Sequence, residues 1–300
     1  MSAETEQRAK ISRLLDHVSE IPPLPSVTAR ILEVAENPAS SAQDLTEIIS
    51  RDPSLTTQLL RAANSAFYGF PQQIGTVYLA VVILGFNMVR TIALGTGVLK
   101  LFRAKNAAAS LLNPAMFWEH SLKCGIACKL LATTYKYYVA GEAFTAGLLH
   151  DLGKIVLAHY STPQFEKVAD YRREKGCPAL EAEQAVLGFT QADVGGYLLE
   201  RWSLPLSIVE AVAFHHAPGM SKNARDLASI THVANHLSHL HSFRKGTESE
   251  QPAPDSAHWG TLPHPVDQEA TLRELLRKLD EELGKAQSFI RILKGEDGAK

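Results

Sequence analysis

Apolar residues recur along most of the chain at the spacing of one face of an α-helix. The first stripe consists of Ile11, Leu14, Leu15 and Val18, at positions i, i+3, i+4 and i+7. No stretch combines strict apolar–polar alternation with a turn that would form a β-hairpin. The pattern therefore predicts a mainly α-helical, all-α fold. Among the predicted helices are residues 5–19, 116–135, 142–160, 163–175, 179–187, 190–201, 205–214, 224–241 and 267–294.

Side chains that cap helices mark several of the predicted helix starts near the N-terminus. Ser26 is predicted to cap one helix, Ser40 or Ser41 the next, and Asp52, followed by Pro53, a third. Residues 74–103 are rich in β-branched residues, but their length favours buried helices, with a loop at 85–87.

Composition and charge narrow the class of protein. Of the 300 residues 45% are hydrophobic, which predicts a packed core. Thirty Lys and Arg against 32 Asp and Glu give a net charge of −2, so direct nucleic-acid binding is not expected. Three cysteines are too few for a disulfide framework, which favours a reducing cytoplasm. The longest apolar stretch, taken as Val77–Leu84, is shorter than the roughly 20 residues that span a bilayer, so no membrane partner is expected.

The C-terminal part of the chain differs in composition from the rest. Residues 245–266 contain four prolines and few aliphatic residues, which predicts a Pro-rich linker. The helix predicted after it has apolar positions at alternating steps of four and three residues. This repeat is compatible with two structures: pairing with a second copy as a homodimer, or docking on the helix's own domain. The repeat comprises Leu272, Leu276, Leu279, Leu283, Ala286, Ile290 and Leu293.

The segment that says most about function contains a histidine followed directly by an aspartate. His150 and Asp151 lie inside the predicted apolar helix 142–160, and Lys154 follows one turn later. A buried ionisable pair is costly unless it is hydrogen-bonded or coordinates a cation. Histidines elsewhere in the sequence, His120 and the pair at 215–216, would add imidazoles from separate helices, as in metal sites of helical bundles. The residue types alone leave a core hydrogen bond and a metal site as open alternatives.

Other candidate ligands are better explained by ordinary structure. Cys124 and Cys128 follow His120 at four-residue steps, which is more typical of tight helix packing than of a zinc site. The histidines between residues 232 and 241 are interpreted as a partly solvated helix face, since no HExxH motif accompanies them.

Several separated motifs in order resemble those of HDOD domains, the output-type relatives of the HD and HD-GYP metal-dependent phosphohydrolases. The resemblance covers roughly residues 17–240 and implies a two-lobed all-α fold whose C-terminal lobe is HD-phosphohydrolase-like. It places the lobes at 1–107 and 108–244, followed by the linker and a C-terminal helical segment, 267–300. The motifs are IPPLP at 21–25, DPSL at 52–55, NSAFYG at 64–69, AVVILG at 80–85, GLLHDLGK at 147–154, WSLP at 202–205 and HHAP at 215–218.

The resemblance also assigns roles to residues of the candidate site. His120, His150 and Asp151 match metal ligands, and Lys154 matches a lysine that approaches substrate phosphate, which makes it the candidate catalytic residue. The expected cofactor is one weakly held divalent cation: Fe, Mn, Zn or Mg. Weaker candidate ligands are His215, His216, Gln191 and Asn235.

Two of those weaker candidates depart from the family pattern. Gln191 stands where a histidine is usual, and Asn235 where the final aspartate is usual, so the site is expected to be degraded. Because the GYP motif is also missing after His216, hydrolysis of cyclic di-GMP is not expected. The resemblance favours a non-catalytic regulatory protein of bacterial signal transduction that binds signalling proteins or a ligand. The alternative is a residual metal-dependent phosphohydrolase acting on a nucleotide or phosphodiester.

Overall fold

The computed structural model describes residues 3–16, 23–66, 68–70, 72–103, 112–137, 140–248, 262 and 268–294. Every regular element in these ranges is a helix, so the all-α prediction is confirmed. One of them is a short 3₁₀ helix, Pro218–Met220. The α-helices are α1 Ala3–Asp16, α2 Ser26–Glu36, α3 Ala42–Ile49, α4 Pro53–Ala63, α5 Val77–Arg103, α6 Pro114–Thr134, α7 Ala140–Leu149, α8 Leu152–Tyr160, α9 Thr162–Lys175, α10 Ala179–Leu187, α11 Gln191–Arg201, α12 Leu206–Phe214, α13 Arg225–Arg244 and α14 Gln268–Lys294.

Two of the three predicted N-terminal caps are found. Ser41 caps α3 in a reciprocal capping box with Asp44, and the Asp52 carboxylate accepts a hydrogen bond from the backbone N–H of Leu55 at 3.0 Å. The prediction for Ser26 is wrong. Ser26 is the first residue of α2, and the capping position is taken by Pro25, which makes no side-chain cap bond.

Helix α5 contains a longer apolar segment than the stretch Val77–Leu84 that was predicted from the sequence. Val77–Val98 has a mean hydropathy of 2.0 over its best 18-residue window, which is long and apolar enough to span a bilayer. However, 56% of that window is buried inside the protein, and α5 packs against α2, α3, α4 and α7. Gly85 kinks the helix with φ +75°, so the predicted loop at 85–87 is reduced to one residue. These contacts are typical of a core helix.

The prediction of one continuous helix over 142–160 is wrong, because the helix is interrupted at His150 and Asp151. Helix α7 ends at Leu149 and α8 begins at Leu152, so His150 and Asp151 lie in the turn between them. A Cβ at Gly153 would lie 1.8 Å from the backbone oxygen of Gln191, so only glycine lets α8 approach α11 this closely. The turn therefore presents both polar residues to the neighbouring helices.

The C-terminal helix α14 docks on the body of its own chain. Its apolar side packs against α4, α5 and α6. Leu272, Leu275, Leu276, Leu279 and Ala286 are each at most 6% exposed. The side chains of Ile290 and Leu293, which complete the predicted repeat, lie outside the described residues. The structure shows docking, and pairing with a second copy stays a prediction.

The candidate site lies in the half of the chain built by α6 to α13. Helix α6 packs on α7 and α13, α8 packs on α11, and α12 packs on α7, α11 and α13. The predicted lobe boundary at 107 and most of the predicted linker 245–266 lie outside the described residues, and the division into lobes stays a prediction.

Candidate metal centre

Residues from separate helices converge on Asp151. His120 projects from α6, His150 precedes Asp151 in the turn after α7, and His215 and His216 follow α12. The Nε2 atoms of His120 and His150 are 3.3 Å apart, and they lie 3.8 and 3.4 Å from Asp151 Oδ2. Asp151 belongs to two groups of three residues whose ligand atoms all lie within 4.8 Å of one another, one completed by residues 120 and 150, the other by 215 and 216. The two groups share one carboxylate.

Two of the imidazoles are oriented so that the lone pair of Nε2 points into the cluster. His150 Nδ1 donates to the carbonyl of Gly147 at 2.8 Å, and His215 Nδ1 donates to the carbonyl of Val212 at 2.7 Å. Both side chains are fully buried, and burial lowers the pKa of each, so they are neutral. A neutral imidazole oriented by a backbone carbonyl is the usual form of a metal-ligating histidine.

Two buried polar atoms in the cluster have no hydrogen-bond partner among the described residues. They are Nε2 of His215 and Oε1 of Gln191. The amide nitrogen of Gln191 donates to Asp151 Oδ1 at 3.1 Å and lies 3.3 Å from His216 Nε2. A buried polar atom without a partner costs about 1–3 kcal/mol, and both unpartnered atoms carry lone pairs. The residues present therefore fit a divalent cation, which would accept these lone pairs.

Asp151 is ionised and already paired. Burial alone would raise the pKa of this carboxyl, but the Lys154 ammonium beside it holds the pKa well below its usual range. Lys154 Nζ lies 2.7 Å from Asp151 Oδ2, the same oxygen that faces both histidines. Lys154 thus acts as an internal counter-ion here, and its role as a catalytic residue stays a prediction.

The second departure from the family pattern also lies at the cluster. Asn235 Oδ1, on α13, is 3.0 Å from His120 Nε2. Since a carbonyl oxygen only accepts, His120 donates its Nε2 proton to Asn235, and in this arrangement Nε2 offers no lone pair to a cation. All eight residues proposed from the sequence are thus brought together, and their roles as ligands stay predictions.

Two polar groups next to the cluster, His239 and Glu183, were not among the site residues predicted from the sequence. The ring of His239 lies 4.4 Å from that of His120, centroid to centroid, and its Nδ1 is 2.8 Å from Glu248 Oε1. Glu183 accepts a hydrogen bond from the backbone N–H of Gln191 at 2.7 Å, and burial raises its pKa to about 7. The position of residue 239, one turn after Asn235 on α13, is the signal that could have found it.

The interpretation of the histidines in residues 232–241 as a partly solvated helix face holds for His232 and His239, which are partly exposed. His236 and His241 are buried, and His232 Nδ1 donates to the backbone carbonyl of His215 at 2.7 Å. Cys124 and Cys128 are buried as well, and neither joins a ligand group in the described ranges.

The fold and the cluster agree with a known family. The HDOD domain family matches residues 21–218. The chain belongs to the HDOD domain family. This confirms the resemblance. An uncharacterized protein of Treponema pallidum (strain Nichols) is 25% identical over 234 residues, 77% of this chain and 45% of that protein. The HDOD chain therefore spans less than half the length of that relative.

Solved structures share the HDOD fold over most of the chain. An HDOD domain protein with unknown function from Geobacter sulfurreducens has a TM-score of 0.76 at 22% identity, covering 95% of this chain and 98% of that one. A Shewanella amazonensis SB2B protein, provisionally named a phosphohydrolase, has a TM-score of 0.73 at 25% identity, covering 93% and 97%. A Marinobacter aquaeolei VT8 protein, provisionally named a signal transduction protein, has a TM-score of 0.72 at 24% identity, covering 96% and 66%.

Proposed function

We propose that this HDOD protein is a non-catalytic regulatory module of bacterial signal transduction, which binds protein partners or a ligand and holds one divalent cation weakly. The observation that carries the proposal is the composition of the cluster. Two amides, from Gln191 and Asn235, occupy positions in contact with Asp151 and His120. The two ligand groups share a single carboxylate, and Lys154 already neutralises it.

The charge of the cluster supports one cation over two. Two divalent ions would bring four positive charges into a buried site whose ligand groups supply one negative charge, next to a lysine. Charges buried without compensation are strongly unfavourable. A single ion, held by His120, His150 and Asp151, is the arrangement this electrostatic balance favours.

Each residue of the proposed site has a separate role. His150 and His215 keep their rings oriented through their backbone partners, Asp151 supplies the negative charge, and Lys154 competes with a cation for it. A divalent cation, when bound, would polarise a water or an oxygen ligand. The neutral amides of Gln191 and Asn235, which stand where the family pattern has a histidine and an aspartate, weaken the hold on such an ion.

The proposed setting is the bacterial cytoplasm, and the proposed partners are signalling proteins. The name of the Marinobacter protein, which shares the fold, is consistent with this proposal. The net charge of −2 supports a partner that is neither nucleic acid nor an anionic membrane, and the three cysteines support the cytoplasm.

Metal binding and turnover test the proposal together. We expect calorimetric titration with Mn²⁺ to detect weak binding, and cyclic dinucleotides to remain intact with Mn²⁺, Fe²⁺ or Mg²⁺ added. A turnover rate of about 1 s⁻¹ or more, lost in the His150→Ala variant, would overturn the regulatory proposal.

A second candidate function is residual metal-dependent phosphohydrolysis of a nucleotide or phosphodiester. It is favoured by the unpartnered His215 Nε2, which offers a lone pair to a cation beyond the first ligand group. The Shewanella protein of the same fold is provisionally named a phosphohydrolase. Screening mononucleotides and phosphodiesters with wild type and His150→Ala distinguishes the two candidates, because only an enzyme loses turnover in the variant.

A further inference from the structure

The first segment of α5, residues 77–84, is apolar on every side of the helix. Ala80 is fully buried on the side toward the core. Tyr78, Leu79 and Val82, on the side away from the core, are 50%, 42% and 52% exposed. At 100° per residue these three side chains fall within about 100° of the helix circumference, so they form one continuous face, which we call the outer face of α5. A helix that is apolar all round is normally enclosed by protein, and this face has no such cover among the described residues.

The outer face of α5 is also where exposed apolar side chains concentrate. Of the seven large apolar side chains that are exposed in the described ranges, three lie on this face and a fourth, Phe70, precedes α5 by seven residues. The other three, Met116, Leu206 and Met220, lie on three separate elements. Single exposed apolar residues are ordinary, whereas a cluster of them marks an interaction surface.

Helix α14 provides the contrast within the same protein. Its apolar side is covered by the body of the chain, and its outer side carries ion pairs of Arg277 with Glu274 and Glu281. The described part of α14 therefore has an ordinary solvent face and presents no second apolar face. The outer face of α5 lacks such charged residues and is the stronger candidate for contact with another molecule.

The segment that carries the outer face contains no charge. Residues 62–89 include no Asp, Glu, Lys, Arg or His, although a stretch of this length would hold about six charged residues at the average of 21% for the chain. Basic side chains that would draw a peripheral protein to an anionic membrane are missing from it. Regulatory interfaces that form transiently are about as polar as the rest of the surface, whereas homodimer interfaces are more apolar and poorer in charge.

We propose that a second copy of this chain covers the outer face of α5, which makes the protein a two-fold symmetric homodimer in which α5 packs on α5. In such a dimer the same patch lies on both sides of the interface, so a charged patch would meet its own sign. An uncharged apolar patch meets no repulsion and matches itself. The net charge of −2 adds little repulsion between two copies.

Sedimentation equilibrium of the full chain tests the proposal. A stable interface buries roughly 800 Å² per partner, more than three side chains supply, so we expect a dissociation constant of about 10 μM. We expect Val82→Glu to weaken association at least about 100-fold, because both copies would bring a carboxylate into the apolar interface. Since Val82 is half exposed, the variant should unfold thermally as the wild-type monomer does. Leu206→Glu is the matched control: it adds the same charge at a side chain that is 57% exposed on α12, and association should not change.

Hydroxyl-radical footprinting of the wild type gives a second measurement that needs no variant. We expect oxidation of Tyr78 to fall at least about threefold when the concentration rises from about 1 to about 100 μM, because the dimer excludes water from the centre of the interface. Met220, which is 66% exposed on another element, should be oxidised equally at both concentrations.

Four results would overturn the proposal. The first is a wild type that stays monomeric at about 100 μM; if that monomer sediments with phosphatidylcholine vesicles, a lipid surface covers the outer face instead. The second is a dimer that Val82→Glu leaves intact, which places the interface elsewhere. The third is a dimer that Leu206→Glu weakens as much as Val82→Glu does. The fourth is a dimer in which Met220 is protected and Tyr78 is not. The proposed function stands apart from all four, because the cluster around Asp151 contains no residue of α5.

Discussion

Two buried carboxylates in the same half of the molecule have opposite surroundings. Glu210, on α12, accepts hydrogen bonds from the side chains of Ser221 and Asn223 and from the backbone N–H groups of Asn223 and Ala224. Every one of these donors lies in a single short segment before α13. Asp151 instead faces groups from four helices or their ends: two imidazoles, an ammonium and an amide.

The difference separates a structural carboxylate from a candidate ligand. Burial alone would raise the pKa of Glu210, but hydrogen bonds from Ser221 and Asn223 lower it to about 2. The neighbouring donors satisfy both carboxylate oxygens of Glu210, so a bound cation is not needed to balance its charge. Around Asp151 the match is incomplete, because His215 Nε2 and Gln191 Oε1 are buried and find no partner in the part of the chain that the structure describes. Buried polar groups without partners indicate a binding role where buried charge by itself does not.

The largest expected effect concerns the stability supplied by Glu210. Its pKa is about 2 in the folded protein against 4.5 without these bonds, so ionised Glu210 stabilises the fold above about pH 4.5. That stability is lost as the pH falls toward 2. We expect Glu210→Gln to lower the free energy of unfolding by about 3 kcal/mol at pH 7 and by much less near pH 2.

Urea unfolding at the two pH values measures this difference. The exposed Glu47 supplies the control variant Glu47→Gln, for which we expect little change at either pH. An equal loss for Glu210→Gln at both pH values would mean that packing, not charge, accounts for the effect.

The corresponding substitution at the other carboxylate, Asp151, should affect cation binding. We expect Asp151→Asn to weaken Mn²⁺ binding at least about 100-fold, or about 2.7 kcal/mol, because it removes the single charge shared by both ligand groups. Folded Glu210→Gln should bind Mn²⁺ as the wild type does. Calorimetric titration of both variants at pH 7 makes the comparison, and retained binding in Asp151→Asn would place the cation elsewhere.

Local signals explain what the sequence could predict of the fold. Ser41 and Asp52 cap helices through bonds to residues three positions away, so neighbouring residues suffice to predict them. The break between α7 and α8 is different. Apolar residues continue on both sides of His150 and Asp151, and the close approach of Gly153 to Gln191 across the fold accompanies the turn. Such tertiary contacts leave no periodic signal.

The candidate site likewise combines features that the sequence predicts with features that depend on tertiary contacts. Residue types alone pointed to six of the eight candidate residues, the resemblance to HDOD domains added Gln191 and Asn235, and the structure brings all eight together. The resemblance could not supply the pairing of Lys154 with Asp151, which depends on side-chain direction. His239 was missed because its link to the site is a ring contact with His120, which depends on how α6 and α13 pack.

A smaller effect is expected from restoring the family pattern. In the double variant Gln191→His, Asn235→Asp, an imidazole and a carboxylate replace two amides that already contact the cluster. We expect Mn²⁺ or Zn²⁺ affinity to rise at least tenfold, about 1.4 kcal/mol, in calorimetric titration of metal-free protein. If the double variant binds no better than the wild type, these two positions do not contribute ligands.

The smallest expected effect removes the internal counter-ion of Asp151. Lys154→Met keeps much of the side-chain length but takes the ammonium away from Asp151 Oδ2, 2.7 Å distant. A cation then meets no competing positive charge there. Because the side chain is 29% exposed, we expect Mn²⁺ affinity to rise only about threefold, or about 0.7 kcal/mol. Lys175→Met, at the exposed end of α9, is the control for lost surface charge and should leave affinity unchanged. A fall in affinity for Lys154→Met would show that Lys154 stabilises the cation-bound state instead of competing with the cation. Lys154 would then belong to the binding site, and the contrast between the fully hydrogen-bonded Glu210 and the incompletely matched Asp151 would have to include it.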